Sequence, residues 1–282
     1  MPLIRYPGSK EKLAKEIIRI FPQESRLRLW SEATPWEYRE PFFGAGAVGF
    51  EVLESLSPQC RIWLNDLDPG MAGLWQAVRE SPRELANRVM QFVPAAEWFY
   101  EHKHVDLSQM SAVDAGFIKL ALHRISYSGL GSKAGGPLGG RDQTNAKYDV
   151  ACRWRPEVMY RTIMALHRKM WRFEGLNVTC QDFRSTIEHA PEKCMMYVDP
   201  PYYEKGESLY QFSMSAQDHE DLATLLRQSA ANWVLSYDDH PAIRDLYSWA
   251  FIQPVNITYT ISNKDTGGRR PKNQEIAIMP PR

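Results

Sequence analysis

The stretch Tyr38-Arg39-Glu40-Pro41-Phe42-Phe43-Gly44-Ala45-Gly46 decides the fold class, because a short extended segment runs directly into a glycine-containing loop. A helical pattern follows over Val48–Leu56, and Cys60–Leu64 has the apolar character of the next strand. Strand, glycine loop, helix and strand in this order form half of a doubly wound sheet. The sequence therefore predicts an α/β fold with a mainly parallel sheet.

Further apolar runs extend this predicted sheet. Each run is short and is followed by polar or turn-forming residues, as buried strands usually are. The last two runs are expected to pair antiparallel and to close one edge of the sheet. The predicted strands are Leu176–Cys180, Cys194–Val198, Asn232–Tyr237, Phe251–Ile261 and Glu275–Met279.

A long insertion separates the two groups of strands. After Pro69, helical patterns replace strand patterns for roughly a hundred residues, and they end in a glycine-rich loop between Gly129 and Gly140. We therefore predict a catalytic sheet domain built from residues 1–72 and 173–282. Residues 73–172 are predicted to form an inserted, mainly helical recognition domain.

The composition excludes several classes of protein. The chain has 282 residues, 44% of them apolar, and 34 basic residues balance 34 acidic ones, which excludes disordered and fibrous classes. No stretch approaches the ~18 apolar residues of a membrane span, and the N-terminus lacks the apolar run of a signal peptide. The four cysteines are widely separated, and His102 and His104 have no third ligand at a useful spacing. We expect a cytoplasmic protein without membrane contact, disulfide or bound metal.

The balanced net charge hides a basic middle segment. Between His123 and Arg172 there are ten basic residues and three acidic ones, an excess of seven positive charges. Such a segment is either a nucleic-acid surface or a solvated helix face. Trp154 and Trp171 lie within it, and Trp171 is expected to anchor in the core.

Asp199-Pro200-Pro201-Tyr202 follows the predicted strand Cys194–Val198 directly, at the strand end where open α/β sheets bind ligands. Proline has no backbone N–H, so the carbonyl groups here and the carboxylate of Asp199 can accept hydrogen bonds from an exocyclic amine. Such contacts would orient the lone pair of the amine toward an electrophile, and Tyr202 could stack on its ring. The alternative is a rigid turn with no chemical role.

Two features near the first strand suit a second ligand. Gly44 and Gly46 let the backbone approach a ligand at the N-terminus of a helix, although the spacing is not the one that binds pyrophosphate. Asp66, which is 22 residues after Gly44, is placed to accept ribose hydroxyls at the end of the next strand. The alternatives are a tight turn for the glycines and a helix cap for Asp66.

These elements together resemble the adenine-specific DNA methyltransferases of the DNA adenine methylase (Dam-like) type. The resemblance covers most of the chain, is faint through the insertion, and implies a Rossmann-like methyltransferase sheet. Its elements, in the family's order, are Tyr6-Pro7-Gly8-Ser9-Lys10, Glu40-Pro41-Phe42-Phe43-Gly44-Ala45-Gly46, Asn65-Asp66-Leu67-Asp68-Pro69, Asp199 to Tyr202, and a closing Asn273-Gln274-Glu275.

The resemblance implies S-adenosylmethionine as the methyl donor and N6 of adenine as the acceptor. The catalytic residues are then Asp199, Pro200, Pro201 and Tyr202, with Asp199 touching both the donor and the target base. The donor-binding residues it implies are Tyr6 and Lys10 near the catalytic site, Phe42, Gly44 and Gly46 around the amino-acid end, Asp66 on the ribose, and Asp182 or Phe183 beside the adenine.

The resemblance also implies double-stranded DNA as the partner, with the target base flipped out of the stack. Arg124-Ile125-Ser126-Tyr127-Ser128-Gly129-Leu130 is similar to a segment of the family's recognition region, but its continuation, Gly131–Gly136, departs from the family pattern. The recognised DNA sequence is therefore not implied. The candidate DNA-binding residues are Arg124, Tyr127, Lys133, Arg141, Arg153 and Arg155.

Three alternatives remain open from the sequence. The amine of cytosine N4 offers the same two donors to the same acceptors. A methyltransferase acting on RNA or on a protein glutamine amide is a second possibility, although Asn would be more usual there in place of Asp199. The third is a cofactor-binding DNA regulator that no longer turns over, against which the intact Gly44, Asp66 and Asp199 argue.

Overall fold

The computed structural model describes residues 2–5, 10, 13–23, 25, 36–203, 212–255 and 275–281. Its centre is a seven-stranded sheet with the strand order β3-β2-β1-β4-β5-β7-β6. The first five strands run parallel and the last two pair antiparallel. The strands are β1 (Glu37–Glu40), β2 (Arg61–Asn65), β3 (Leu176–Thr179), β4 (Cys194–Val198), β5 (Asn232–Asp238), β6 (Phe251–Val255) and β7 (Glu275–Met279).

The predicted α/β fold class and the antiparallel closing pair are confirmed. The described part of the predicted strand Phe251–Ile261 ends at Val255, and residues 256–274 lie outside the described residues. Helices occupy much of the remaining described chain. They are α1 (Ala14–Ile20), α2 (Ala47–Ser55), α3 (Pro69–Glu80), α4 (Pro82–Gln91), α5 (Ala96–His102), α6 (Ala112–Ile125), α7 (Pro156–Trp171), α8 (Phe183–Ile187), α9 (Ala216–Gln228) and α10 (Pro241–Leu246).

The strand order changes direction between β1 and β4. The chain adds β2 and β3 on one side of β1, and then β4 and β5 on the other side. Arg39 of β1 is in register with Met196 of β4, so Glu40 and Val198 end these two strands side by side. A crevice at such a switch point is the usual ligand site of an open α/β sheet.

The sheet is covered on both faces. Every residue of β4 is buried, as expected for a central parallel strand. Met195 and Tyr197 belong to one apolar cluster, and Cys194, Met196 and Val198 to a second. Because neighbouring side chains of a strand point to opposite faces, the two clusters are the two faces of the sheet.

The helical insertion packs directly on one of these faces. Its buried residues belong to the same apolar cluster as β1 and β2. Helices α3 and α6 approach closely, because a Cβ at Gly116 would lie 2.5 Å from the Cα of Leu74. That residues 73–172 form a separate recognition domain remains a prediction.

The expectation for Trp171 is wrong, because this side chain is 69% exposed. The buried residues of α7 are Met159, Ile163 and Met170, which lie on one helical stripe. Trp171 follows Met170 by one position, a rotation of about 100° that turns it away from the stripe. Trp154 is buried instead and packs against Phe92 at a centroid distance of 4.9 Å.

Candidate active site

Asp199 stands at the carboxyl end of β4, where Pro200 and Pro201 end the strand because they have no N–H for the ladder. Its Oδ1 accepts hydrogen bonds from Nζ of Lys10 at 2.9 Å and from Oγ of Ser236 at 2.8 Å. Within the described part of the chain, no donor reaches its Oδ2. The carboxylate is therefore held in one orientation and keeps one oxygen for a ligand.

Lys10 is the centre of this arrangement, although its side chain is only 3% exposed. Its Nζ also donates to the hydroxyl of Tyr202 at 3.1 Å and lies 2.7 Å from Oε1 of Glu275. Burial alone would lower the pKa of Lys10, but the carboxylates of Asp199 and Glu275 raise it well above its usual value. Lys10 thus carries a positive charge between two carboxylates.

Ser236 links the carboxylate to the interior of the sheet. Its Oγ donates to Asp199 and lies 2.9 Å from the hydroxyl of Tyr197, the next-to-last residue of β4. Strands β4 and β5 are neighbours, so their pairing brings Ser236 to Asp199. This contact helps to fix the orientation of the carboxylate.

The glycine loop and Asp66 form the second part of the site. Asp66 accepts hydrogen bonds from the backbone N–H of Gly44 at 2.7 Å and of Asp68 at 2.9 Å. Gly46 has φ +69°, a conformation that favours glycine, at the point where α2 begins. The N-terminus of α2 and the carboxylate of Asp66 therefore face the same crevice.

The charge of Asp66 depends on pH. Burial and the neighbouring charge of Asp68 raise its pKa to about 6, while the two backbone N–H donors act in the opposite direction. The helix-cap role belongs to Asp68, whose Oδ1 accepts from the N–H groups of Gly70 and Met71. Asp66 is therefore not the helix cap, which was the alternative role that the sequence allowed for it.

Two aromatic rings form one wall of the crevice. Phe42 and Phe183 stack with centroids 5.3 Å apart and an interplanar angle of 30°. Asp182 caps α8 by accepting from the N–H of Arg184, and it also forms an ion pair with that side chain. This arrangement holds Phe183 at the end of β3, where its ring can pack against a flat ligand.

One cleft is lined by most of these groups. It encloses about 1010 Å³, part of it open to solvent, which is the size of a small-molecule site. Four consecutive strand ends contribute to it, and its lining includes Lys10, Phe42, Gly44, Gly46, Asp66, Asp182, Phe183, Tyr197, Asp199 and Pro201. The structure thus brings most of the predicted site residues together. Pro200, which is buried, and Tyr202, which contacts Lys10, do not line the cleft, and Tyr6 lies outside the described residues.

Arg124 requires a correction. The sequence suggested a DNA contact, but Arg124 is 2% exposed. Its guanidinium donates to the backbone carbonyls of Leu3 and Pro2, so it holds the N-terminal segment against α6. A guanidinium enclosed in this way does not reach a DNA phosphate, and its role is structural.

Four of the other candidate DNA-binding residues lie at the surface. Tyr127 is 67% exposed, and Lys133, Arg141 and Arg155 are exposed as well. The guanidinium of Arg141 lies over the ring of Tyr100 at 4.5 Å. Such residues form a positively charged surface that is open to a polyanion.

Arg5 and Arg153 add to this surface. The positive charge of Arg153, together with burial as the larger cause, lowers the pKa of Arg5. The Nη1 atom of Arg153 is buried and has no hydrogen-bond partner among the residues that the structure describes. Two neighbouring positive charges of this kind favour the binding of a phosphate.

Sequence reasoning missed three of these residues. No local sequence pattern marks Ser236 as a site residue, because only the pairing of β5 with β4 brings it to Asp199. Glu275 was visible as the end of a family element, but its contact with Lys10 spans nearly the whole chain. Arg5 lies outside the basic segment and joins it only through the fold.

No described helix is long and apolar enough to cross a membrane. The described residues also contain no group of three His, Cys, Asp or Glu side chains that could hold a metal ion. These findings concern only the parts of the chain given above.

Comparison with known proteins agrees with this site. The chain is 22% identical over 300 residues to the DNA adenine methylase of Haemophilus influenzae (strain ATCC 51907 / DSM 11121 / KW20 / Rd), covering 99% of this chain and 93% of that protein. The family model of the D12 class N6 adenine-specific DNA methyltransferases matches residues 6–261, which include the glycine loop, Asp66 and Asp199. The chain therefore belongs to the D12 class N6 adenine-specific DNA methyltransferase family and is an enzyme of DNA methylation.

Proposed function

We propose that the protein transfers a methyl group from S-adenosylmethionine to N6 of an adenine that is flipped out of double-stranded DNA. The observation that carries this proposal is the arrangement of Asp199. Lys10 and Ser236 hold its Oδ1, and its Oδ2 is left to the cleft that also contains Asp66 and the Phe42–Phe183 wall. One carboxylate thus lies between a site for a donor and a site for an amine.

The residues of the cleft fit S-adenosylmethionine by their chemistry. Asp66 offers carboxylate acceptors for ribose hydroxyls, and Phe42 and Phe183 offer a flat apolar surface for an adenine ring. The N-terminus of α2 behind Gly46 suits the carboxylate of the amino-acid end. When bound, the donor supplies a methyl group that is activated by its positively charged sulfur.

The chain's own residues orient the acceptor. Oδ2 of Asp199 accepts one N–H of the adenine amine, and the carbonyl of Pro200 accepts the other. Two acceptors on the two hydrogens fix the direction of the nitrogen lone pair. Tyr202, whose hydroxyl Lys10 already holds, presents its ring to the base. An adenine within the duplex cannot make these contacts, so the base must leave the stack.

The basic surface of the insertion binds the DNA backbone. Arg5 precedes Lys10 by five residues, which span at most about 18 Å of chain. Because Lys10 contacts Asp199, this short separation supports contacts of Arg5 and its neighbour Arg153 with phosphates that flank a base in the cleft. Exposed residues Tyr127, Lys133, Arg141 and Arg155 extend the proposed surface.

Nucleoside analysis tests the proposal. Duplex DNA of mixed sequence is incubated with the protein and S-adenosylmethionine, digested, and examined by mass spectrometry. N6-methyladenine is the expected product. N4-methylcytosine would replace the proposed acceptor, and the absence of any methylated nucleoside would favour either a methyltransferase for RNA or a protein amide or a cofactor-binding regulator.

A further inference from the structure

Glu275 is a buried carboxylate that the proposed reaction does not yet use. It begins β7, pairs in register with Asp238 of β5, and has a side chain that is only 4% exposed. Its Oε1 lies 2.7 Å from Nζ of Lys10. Its Oε2 is buried and has no hydrogen-bond partner among the described residues. Burying a carboxylate costs free energy unless it is paired, and Lys10 is its charged partner here.

Asp199, Lys10 and Glu275 form one ionic cluster. Lys10 lies between the two carboxylates, at 2.9 Å from one and 2.7 Å from the other. With all three groups ionised, the cluster has two negative charges and one positive charge, so its net charge is one negative unit. Groups that interact this strongly gain and lose protons as a unit.

The reaction produces a proton that must leave the amine. Once the nitrogen has bound the methyl group it carries a positive charge, and it becomes neutral only when one N–H bond breaks. We propose that Asp199, Lys10 and Glu275 act together as the acceptor of this proton, and that Glu275 supplies the negative charge that lets the cluster accept it. This inference rests on the proposed function.

The charges and bonds balance in this step. The N–H bond of the methylated amine breaks, its electron pair stays on nitrogen, and the proton forms an O–H bond at Oδ2 of Asp199, the oxygen that accepts the amine. The net charge of the cluster rises from one negative unit to zero. Lys10 remains an ammonium group and still has one ionised carboxylate beside it. The proton leaves later through Asp199, whose side chain is 21% exposed.

Without the charge of Glu275 the same step is unfavourable. Asp199 and Lys10 alone have no net charge, so accepting the proton would give this pair a net positive charge at a buried position. A buried charge without a partner is strongly disfavoured. Glu275 acts through Lys10 and is therefore a positioning residue rather than a catalytic one.

The surroundings of Glu275 support this role. Burial raises its pKa to about 7, Lys10 acts in the opposite direction, and the charges of Asp199 and Asp238 add to the rise. Tyr197 of β4 is a further titratable group that faces it, while Val255 of β6 is its apolar partner on the other side. A carboxyl group with this pKa carries its negative charge above about pH 7 and loses it below, so the charge that Glu275 supplies to the cluster depends on pH.

The test compares wild type with Glu275→Gln, which keeps the shape and removes the charge. Single-turnover rates of methyl transfer are measured from about pH 5.5 to about pH 8.5. For wild type we expect the rate to fall as the pH drops below about 7, because the cluster is then already protonated. Glu275→Gln should be slower by about 100-fold and should lack this fall.

Two measurements separate this role from a purely structural one. The carboxyl group of Glu275 should titrate near pH 7 in infrared or NMR spectra of the free enzyme. This signal should vanish in Glu275→Gln and persist in Glu188→Gln, a control at an exposed position. A variant with the pH profile and rate of wild type, or a wild-type spectrum without this titration, would overturn the inference.

A measurement on the wild-type protein tests the inference even if Glu275→Gln does not fold. A pH indicator can follow proton release during a single turnover in weakly buffered solution. The inference predicts that the proton appears in solution after methyl transfer, whereas simultaneous release would contradict it. Failure to form N6-methyladenine would contradict the proposed function itself, and normal product with simultaneous proton release would contradict only the role of Glu275.

Discussion

The backbone N–H of Gly44 donates to Oδ2 of Asp66 at 2.7 Å, which ties the loop after β1 to the end of β2. The two residues are 22 positions apart, and the parallel pairing of β1 with β2 brings them together. Trp75 adds a third contact by donating to the carbonyl of Gly44 at 2.8 Å. These hydrogen bonds hold the loop and the end of β2 in one arrangement, and a site that is held in this way pays a smaller ordering cost on binding.

Binding of S-adenosylmethionine should depend on pH through Asp66. The pKa of this carboxyl is raised to about 6, so it is ionised above that pH and neutral below it. Ribose hydroxyls donate more strongly to the ionised form, so the affinity should fall as the pH drops through about 6. Asp66→Asn should bind the donor more weakly by ~1–3 kcal/mol at neutral pH and lose this dependence. Calorimetric titration measures both quantities.

The control for this experiment is Asp106→Asn, which changes an exposed carboxylate outside the cleft. It should bind S-adenosylmethionine as wild type does at every pH. Equal donor affinity of Asp66→Asn and wild type across the pH range would remove Asp66 from the binding site.

Gly46→Ala should weaken both the fold and donor binding. The residue has φ +69°, and a Cβ there would lie 2.6 Å from ring atoms of Phe43 and Phe50. The strained backbone and the displaced rings should lower the free energy of unfolding by ~1–3 kcal/mol. Urea denaturation measures this change. Gly135→Ala is the matched control, since its Cβ would meet nothing within 4 Å; equal stability of the two variants would contradict this account.

Charge reversal in the basic surface should weaken DNA binding in a salt-dependent way. Arg155 is exposed at the start of α7, so Arg155→Glu should remove a phosphate contact. The log–log slope of affinity against salt should then fall in magnitude by about one unit. Fluorescence anisotropy with a non-cognate duplex at several salt concentrations gives this slope.

Arg168→Glu is the matched control, because it changes the same charge at the other end of α7, about 20 Å away. It should leave the salt slope closer to that of wild type. Identical slopes for wild type and Arg155→Glu would show that this end of the helix is only a solvated face. Donor affinity should stay constant in both variants, since Asp66 and the glycine loop are on other elements.

The strands could be predicted from the sequence because their signals are local. The run Cys194–Val198 is apolar throughout and is bounded by a charged residue and a proline motif, and the strand has these limits. The clustering of Gly44, Asp66 and Asp199 followed from one rule, since parallel strands end at the same edge of the sheet. Predicting these parts of the site requires only the order of the strands and helices along the chain.

Other features depend on contacts between distant parts of the chain. Arg124 lies in a segment whose charge suggests a surface, but α6 is buried on nearly all sides and Arg124 meets the carbonyls of Pro2 and Leu3 instead. Ser236 and Glu275 reach Asp199 and Lys10 through strand pairing, which no local pattern encodes. Side-chain partners across such separations follow from packing rather than from sequence spacing.

Asp199→Ala should abolish methyl transfer while the protein remains folded. Asp199 lies at a strand exit and is partly exposed, so its loss removes the acceptor for the amine and little packing. Circular dichroism should match that of wild type. Asp149→Ala, at an exposed position in the insertion, is the control and should retain activity.

The most direct measurement follows a deuterated methyl group from S-adenosylmethionine into DNA. Wild type, Asp199→Ala and Asp149→Ala are each incubated with duplex DNA and the labelled donor, and the digested nucleosides are analysed by mass spectrometry. We expect N6-methyladenine carrying the whole label for wild type and Asp149→Ala, and none for Asp199→Ala. Label on another nucleoside, or equal labelling of adenine by wild type and Asp199→Ala, would contradict it.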